Sequence, residues 1–225
     1  MTTPGGSGFS SKQAELEILH MPLYRHEANV IFFVHIPKTG GASIEQALKM
    51  AGAAEALKFK RKRPYSKSTL QHMHASVYLE AVGANFADYS FTVIRNPFDR
   101  FASEYKMKVV DAGVSADIHE WAVTNFTRFS EYPFTRDNHI RPQVEFLSDR
   151  LEVFRFENGL ETPVVAACRR LTLSPPEIPH EKRGSVARLS IRSKTLDAIR
   201  EFYSQDFLQF GYDIDDYTSA FRLID

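Results

Sequence analysis

The stretch Val30 to Ser43, VIFFVHIPKTGGAS, constrains this chain more than any other. An unbroken run of β-branched and aromatic residues, Val30 to His35, suits a central parallel strand covered on both faces. It runs directly into a lysine and two glycines, and the next residues place Ile44, Ala47 and Leu48 at helical spacing, which predicts a helix over 42–57. In sheets of parallel strands, ligands collect at the carboxyl ends, where loops meet helix N-termini. Gly40 and Gly41 let backbone N–H groups approach an anion, and the helix N-terminus adds a positive dipole. Lys38 supplies a mobile cation, while Thr39 and Ser43 supply hydroxyls. The loop reads as a phosphate cradle. It is not a Walker A loop, in which the lysine follows the glycines rather than preceding them.

The rest of the chain repeats this layout. Phe91 to Ile94 is a second strand ending at Arg95, with Asn96 as cap and Pro97 at the first helical position. Leu151 to Phe156 is a third strand, followed by a helix over 158–172. Further helices are predicted over 76–82, 115–128 and 195–210, with an irregular loop over 130–143. Strands alternating with helices specify an α/β layer fold with a mainly parallel central sheet flanked by helices, as one domain over 14–225 behind a disordered segment, 1–13.

Composition narrows the function classes. Twenty-eight basic residues balance 28 acidic ones, so a general nucleic-acid or membrane-surface binder is disfavoured and any anion site must be local. The single cysteine, Cys168, lies in an apolar helical pattern and reads as a buried thiol. The opening residues, MTTPGGSGFSSKQ, carry no apolar core of a signal peptide, and no run approaches the length of a membrane span.

Residues 95–105, RNPFDRFASEY, supply a second site. Arg95 at a strand end offers a planar fork for phosphate oxygens, and Ser103 adds a hydroxyl from the next helix. Arg100 and Asp99 have a plainer reading as an ion pair or cap in the first helical turn. At this point the sequence resembles a family. HIPKTGGAS is similar to the 5′-phosphosulfate loop of sulfotransferases that use 3′-phosphoadenosine 5′-phosphosulfate (PAPS), in particular the carbohydrate group that includes heparan sulfate 2-O-sulfotransferase and bacterial relatives. Residues 95–105 resemble that family's 3′-phosphate motif. The resemblance implies a three-layer, P-loop-like fold, and implies that Pro37, Lys38, Thr39, Gly40, Gly41, Ala42, Ser43, Arg95 and Ser103 bind PAPS. Ala42 stands where the family usually has threonine, which removes one hydroxyl.

Sulfuryl transfer to a hydroxyl needs a base, and histidine titrates in the right range. His72 and His74, in HMHAS between the two phosphate motifs, resemble the family's histidine segment; the base role falls to His74 first and His72 second. On an extended backbone both project to one side, so His72 also serves as an acceptor-pocket residue. The pair by itself offers no third metal ligand, His35 is read as shaping the loop, and the family implies transfer without a required metal. Lys38 has the second catalytic role, neutralising the departing phosphate. The resemblance also extends to Lys182, Arg183 and Ser185, where the family has a basic loop over the nucleotide, and to Gln143 as a substrate contact. The basic run Lys58 to Lys67 is either a solvated loop or an attractor of polyanionic glycan.

The expectation is a cytoplasmic bacterial enzyme, or an excised catalytic domain, that moves a sulfuryl group from PAPS to a carbohydrate or glycoconjugate hydroxyl. Two alternatives stay open: a nucleotide-dependent kinase, which would need a magnesium-binding carboxylate and a triphosphate loop, and a non-catalytic nucleotide- or glycan-binding module.

Overall fold

The structure, a computed structural model, describes residues 20–57, 67–178 and 188–224. The segment 1–13, the candidate nucleotide residues Lys182, Arg183 and Ser185, and the basic run short of Lys67 lie outside them.

Strands β1 (His20–His26), β2 (Asn29–Val34), β3 (Ala54–Leu57), β4 (Tyr89–Ile94) and β5 (Leu151–Arg155) form one sheet in the order β3-β1-β2-β4-β5. The β2–β4 and β4–β5 pairings are parallel, with Phe33 opposite Phe91 and Thr92 opposite Val153. Only β1 runs against the others, paired antiparallel to both β2 and β3. The mainly parallel α/β sheet expected from the alternating pattern is present.

Helices cover both faces. Against one face, α1 (Gly41–Met50) and α5 (Glu161–Arg170) bury Ile44, Leu48, Val164 and Cys168 on Phe33 and Phe91. Against the other, α2 (Ala75–Val82) packs Tyr78 on Phe32 and Phe146. A third cluster joins α3 (Pro97–Tyr105), α4 (Ile118–Glu131), α6 (Ser193–Phe202) and α7 (Ser204–Phe210) around Phe98, Phe101 and Tyr203. The short strands β6 (Leu189–Ile191) and β7 (Phe221–Leu223) pair in parallel beside it.

Three local expectations are corrected. The helix predicted over 42–57 stops at Met50, because Gly52 turns the chain at φ +98°, and residues 54–57 become the edge strand β3. The single closing helix is two, α6 and α7, broken at Tyr203, whose hydroxyl donates to the Ile140 carbonyl at 2.9 Å. The Asp99–Arg100 pair is replaced by separate bonds: Asp99 accepts from Ser219, and the buried Arg100 donates to the carbonyls of Pro37 and His139.

Candidate active site

A cavity of about 940 Å³ opens at the carboxyl ends of β2 and β4, a volume suited to a nucleotide-sized ligand. One of its walls is built by the loop after β2. Arg95, at the end of β4, donates from Nη1 to the Lys38 carbonyl at 3.2 Å, so the two sequence motifs meet directly. Pro37, Lys38, Gly40, Gly41, Ala42, Ser43, Arg95 and Ser103 all line this one cavity.

Two features of the loop are dictated by packing. Lys38 sits at φ +71° and Gly40 at φ +86°, a left-handed path that turns the chain from strand into helix. A Cβ on Gly40 would come within 2.9 Å of Leu160 and Phe156, and one on Gly41 would lie 2.2 Å from Nε2 of His35. The glycines therefore leave room for neighbouring side chains as well as for a ligand. Among the described residues no side chain caps the N-terminus of α1 and no acid occupies its first turn, leaving the positive end of the helix facing the cavity. Thr39 departs from its expected role: it is fully buried, and its hydroxyl donates to the Ile36 carbonyl at 2.8 Å, which closes the turn.

The cations are held close together. Burial pulls the Lys38 ammonium below its ordinary range, and Arg95 and Lys108 push the same way against Glu104. Its Nζ lies 3.3 Å from the sulfur of Met107, carried by a π-helical turn over 106–110 that continues α3. Arg95 stacks 4.4 Å over the Phe156 ring. Its Nε is buried and has no acceptor among the described residues.

Gln143 also departs from its expected role. It is fully buried, receives the Arg95 N–H at 2.9 Å, donates to the Arg95 carbonyl at 2.8 Å, and is itself fixed by Asp206. It is a brace behind Arg95 and does not line the cavity. Its own backbone N–H and that of Val144 donate to the Asp206 carboxylate.

The opposite wall is a corner of three histidines. His35 pairs through Nδ1 with Glu45 at 2.7 Å, His72 with Asp137 at 2.8 Å and His139 with Glu104 at 2.8 Å. The rings meet edge to face, with centroids 5.1 Å apart for His35–His72 and 4.8 Å for His72–His139. With each Nδ1 engaged by a carboxylate, Nε2 is the ring nitrogen left for proton exchange. Burial lowers the His72 and His139 pKa values, opposed in each case by the partner carboxylate. Burial alone would raise the Asp137 and Glu104 carboxyls, but the paired histidines and, for Asp137, two bonds from Thr69 hold both below the usual range. Both partners therefore stay ionised.

His74 lies elsewhere. It precedes α2, packs on Phe134 and bonds Ser76 through Nε2 at 3.0 Å; it does not line the cavity. Burial, with the nearby Arg141, takes its pKa down to about 4. The extended HMH stretch that would aim both rings one way is broken by a 3-10 turn over 70–72. His139 and Asp137 lie outside both motifs, and Glu104, inside RNPFDRFASEY, carries no role there that points to a histidine. Asp137 sits in three consecutive non-glycine residues at positive φ, Arg136 to Asn138, which the alternation of apolar and polar residues does not reveal.

Residues 22–213 match the sulfotransferase family. No curated protein matches the chain. A solved structure titled as a sulfotransferase from Alicyclobacillus acidocaldarius is similar over 84% of this chain and 88% of that one, at 15% identity and a TM-score of 0.41. No helix among the described residues is long and apolar enough to cross a membrane. With residues 30–43 and 95–105 inside the matched span and opening on one cavity, this chain belongs to the sulfotransferase family.

Proposed function

We propose that the protein transfers the sulfuryl group of PAPS to a hydroxyl of a carbohydrate or glycoconjugate, with residues 14–225 as one catalytic unit. The observation that carries this reading is the contact between Arg95 and Lys38 on a single cavity, which lets one doubly phosphorylated adenosine touch both motifs. The residues fit such a donor. An uncapped helix N-terminus answers an anion at one end, and the orphaned Nε of Arg95 answers one at the other.

PAPS supplies the sulfuryl group and a good phosphate leaving group. Lys38, with the N–H groups at the start of α1, would hold the 5′ end and neutralise the charge that develops on the bridging oxygen. Arg95 and Ser103 would hold the 3′-phosphate; Lys182, Arg183 and Ser185 extend this site by resemblance. His72 would take the proton of the acceptor hydroxyl as that oxygen attacks sulfur, with Asp137 fixing the ring and balancing the imidazolium. His72 replaces His74 as first candidate because it lines the cavity and has a carboxylate partner. In this reading no step needs a metal, and the enzyme works in a bacterial cytoplasm or is an excised catalytic domain.

The test is PAPS turnover on a panel of saccharide and glycolipid acceptors, followed by release of 3′-phosphoadenosine 5′-phosphate. Acceptor-dependent release that is lost in His72→Asn supports the reading. Magnesium-dependent ATP consumption in place of PAPS turnover would favour the kinase alternative.

A further inference from the structure

The histidine corner contains more donor atoms than one proton transfer uses. We propose that His72, His139 and Asp137 form a binding site for one divalent transition-metal ion, zinc by donor type, and that the bound ion inhibits the enzyme. The site stands on the geometry alone; the inhibition rests on the sulfuryl-transfer reading.

One ligand atom from each of these residues lies within 4.8 Å of the other two. The sequence hid this group, because HMH offered two histidines and no third ligand, and its second histidine turns away. The other two ligands, Asp137 and His139, come from the left-handed loop over 136–138 and the residue after it. Two imidazoles at a centroid spacing of 4.8 Å and 89° can share a tetrahedral ion at metal–nitrogen distances of about 2.0–2.1 Å after side-chain rotation.

The surroundings are those a metal-binding histidine requires. Such a histidine donates its other ring N–H to a carboxylate, which fixes the tautomer and raises ligand basicity. Glu104, almost fully buried, does this for His139, so Nε2 of His139 is the coordinating atom. Asp137 is itself anchored by the backbone N–H of Thr69 at 2.5 Å and its hydroxyl at 2.7 Å. Two imidazoles and a carboxylate select a transition metal over magnesium or calcium, and the cavity leaves a fourth position for water. An ion shared by His72 and Asp137 sits on Nδ1 and shifts the ring's proton to Nε2, so the nitrogen that would take the acceptor's proton has no free lone pair, and occupancy and turnover exclude each other.

The probe is zinc chloride titrated calorimetrically into the full chain after chelator treatment, with cobalt absorption as a second readout. One ion per chain is expected. His139→Ala should weaken binding by about 100-fold or more, Glu104→Gln by roughly 10–100-fold as for other partners behind metal ligands, and His74→Ala should leave it unchanged. A His72→Asn/His139→Asn double variant keeps hydrogen-bonding side chains in place, and circular dichroism checks its fold. Retention of the same stoichiometry and affinity in that folded variant overturns the site, as does absence of zinc binding at micromolar concentrations. PAPS turnover should fall with zinc occupancy and recover with chelator; turnover that requires zinc overturns the inhibition. A protein with no PAPS turnover in any metal state refutes the transfer reading, while the calorimetry still decides the site.

Discussion

The two walls of the cavity are built in opposite ways. The donor-side wall is nearly continuous in sequence: one loop of eight residues, one strand-end arginine, and backbone N–H groups at a helix start. The histidine corner is assembled from the residue after β2, α1, the segment before α2, α3 and the loop over 136–139, and each ring is held by a carboxylate from a different segment. The first wall depends on chain geometry and the second on side-chain pairs. Binding of the donor and removal of the acceptor proton should therefore be separable by mutation.

The largest expected effect tests that separation. Lys38→Ala should lower kcat by about 100-fold or more, and His72→Asn by roughly 10²–10⁴-fold. Only Lys38→Ala should also weaken binding of 3′-phosphoadenosine 5′-phosphate, measured by calorimetry. Equal losses of nucleotide affinity in both variants would show that the walls are one unit.

Next in size is Gly41→Ala, where the two walls touch. The added methyl group meets the His35 ring at 2.2 Å, and relieving that overlap should cost about 1–3 kcal/mol of stability, read as a lower Tm. Donor affinity should fall with it, since α1 must shift. A variant with unchanged Tm and affinity would show that His35 moves freely and does not brace the loop.

A smaller effect concerns pH. The general base works when neutral, and burial already sets the His72 pKa below the ordinary histidine value, so the acid limb of kcat/KM should lie below about 6.5. The Asp137 carboxylate favours the charged ring, so Asp137→Asn should move the limb further down while reducing kcat. A limb that moves up contradicts His72 as the titrating base. His74→Asn, outside the cavity, is expected to change turnover least of all, by less than about threefold.

The difference between the walls also explains what could be read from the sequence. VIFFVHIPKTGGAS and RNPFDRFASEY carry their geometry locally, since a buried strand, a glycine turn and an N-capped helix with Asn96 accepting from Phe98 are short-range features. Their meeting followed from parallel pairing of β2 with β4. Gln143 was noticed but misassigned, because nothing near it in sequence says that its amide will close on the Arg95 peptide. Thr39 looked like a ligand donor because the turn that uses its hydroxyl forms only when the chain bends at Lys38. His139 and Glu104 were invisible, since their pairing depends on how α3 packs against an irregular loop. The edge strand β3 and its neighbour β1 have weak sequence signals for a related reason: Pro22 and the short AEAL segment carry weak strand character and are held by their neighbours.

The central claim is that Lys38 and Arg95 grip opposite ends of one doubly phosphorylated adenosine. Calorimetry of the wild-type chain with 3′-phosphoadenosine 5′-phosphate, AMP and ATP tests it most directly. The account predicts tight binding of the first that falls by at least about tenfold when the 3′-phosphate is absent, as in AMP, matching loss of a charge-assisted contact. Equal affinity for AMP, or a clear preference for ATP, would contradict it.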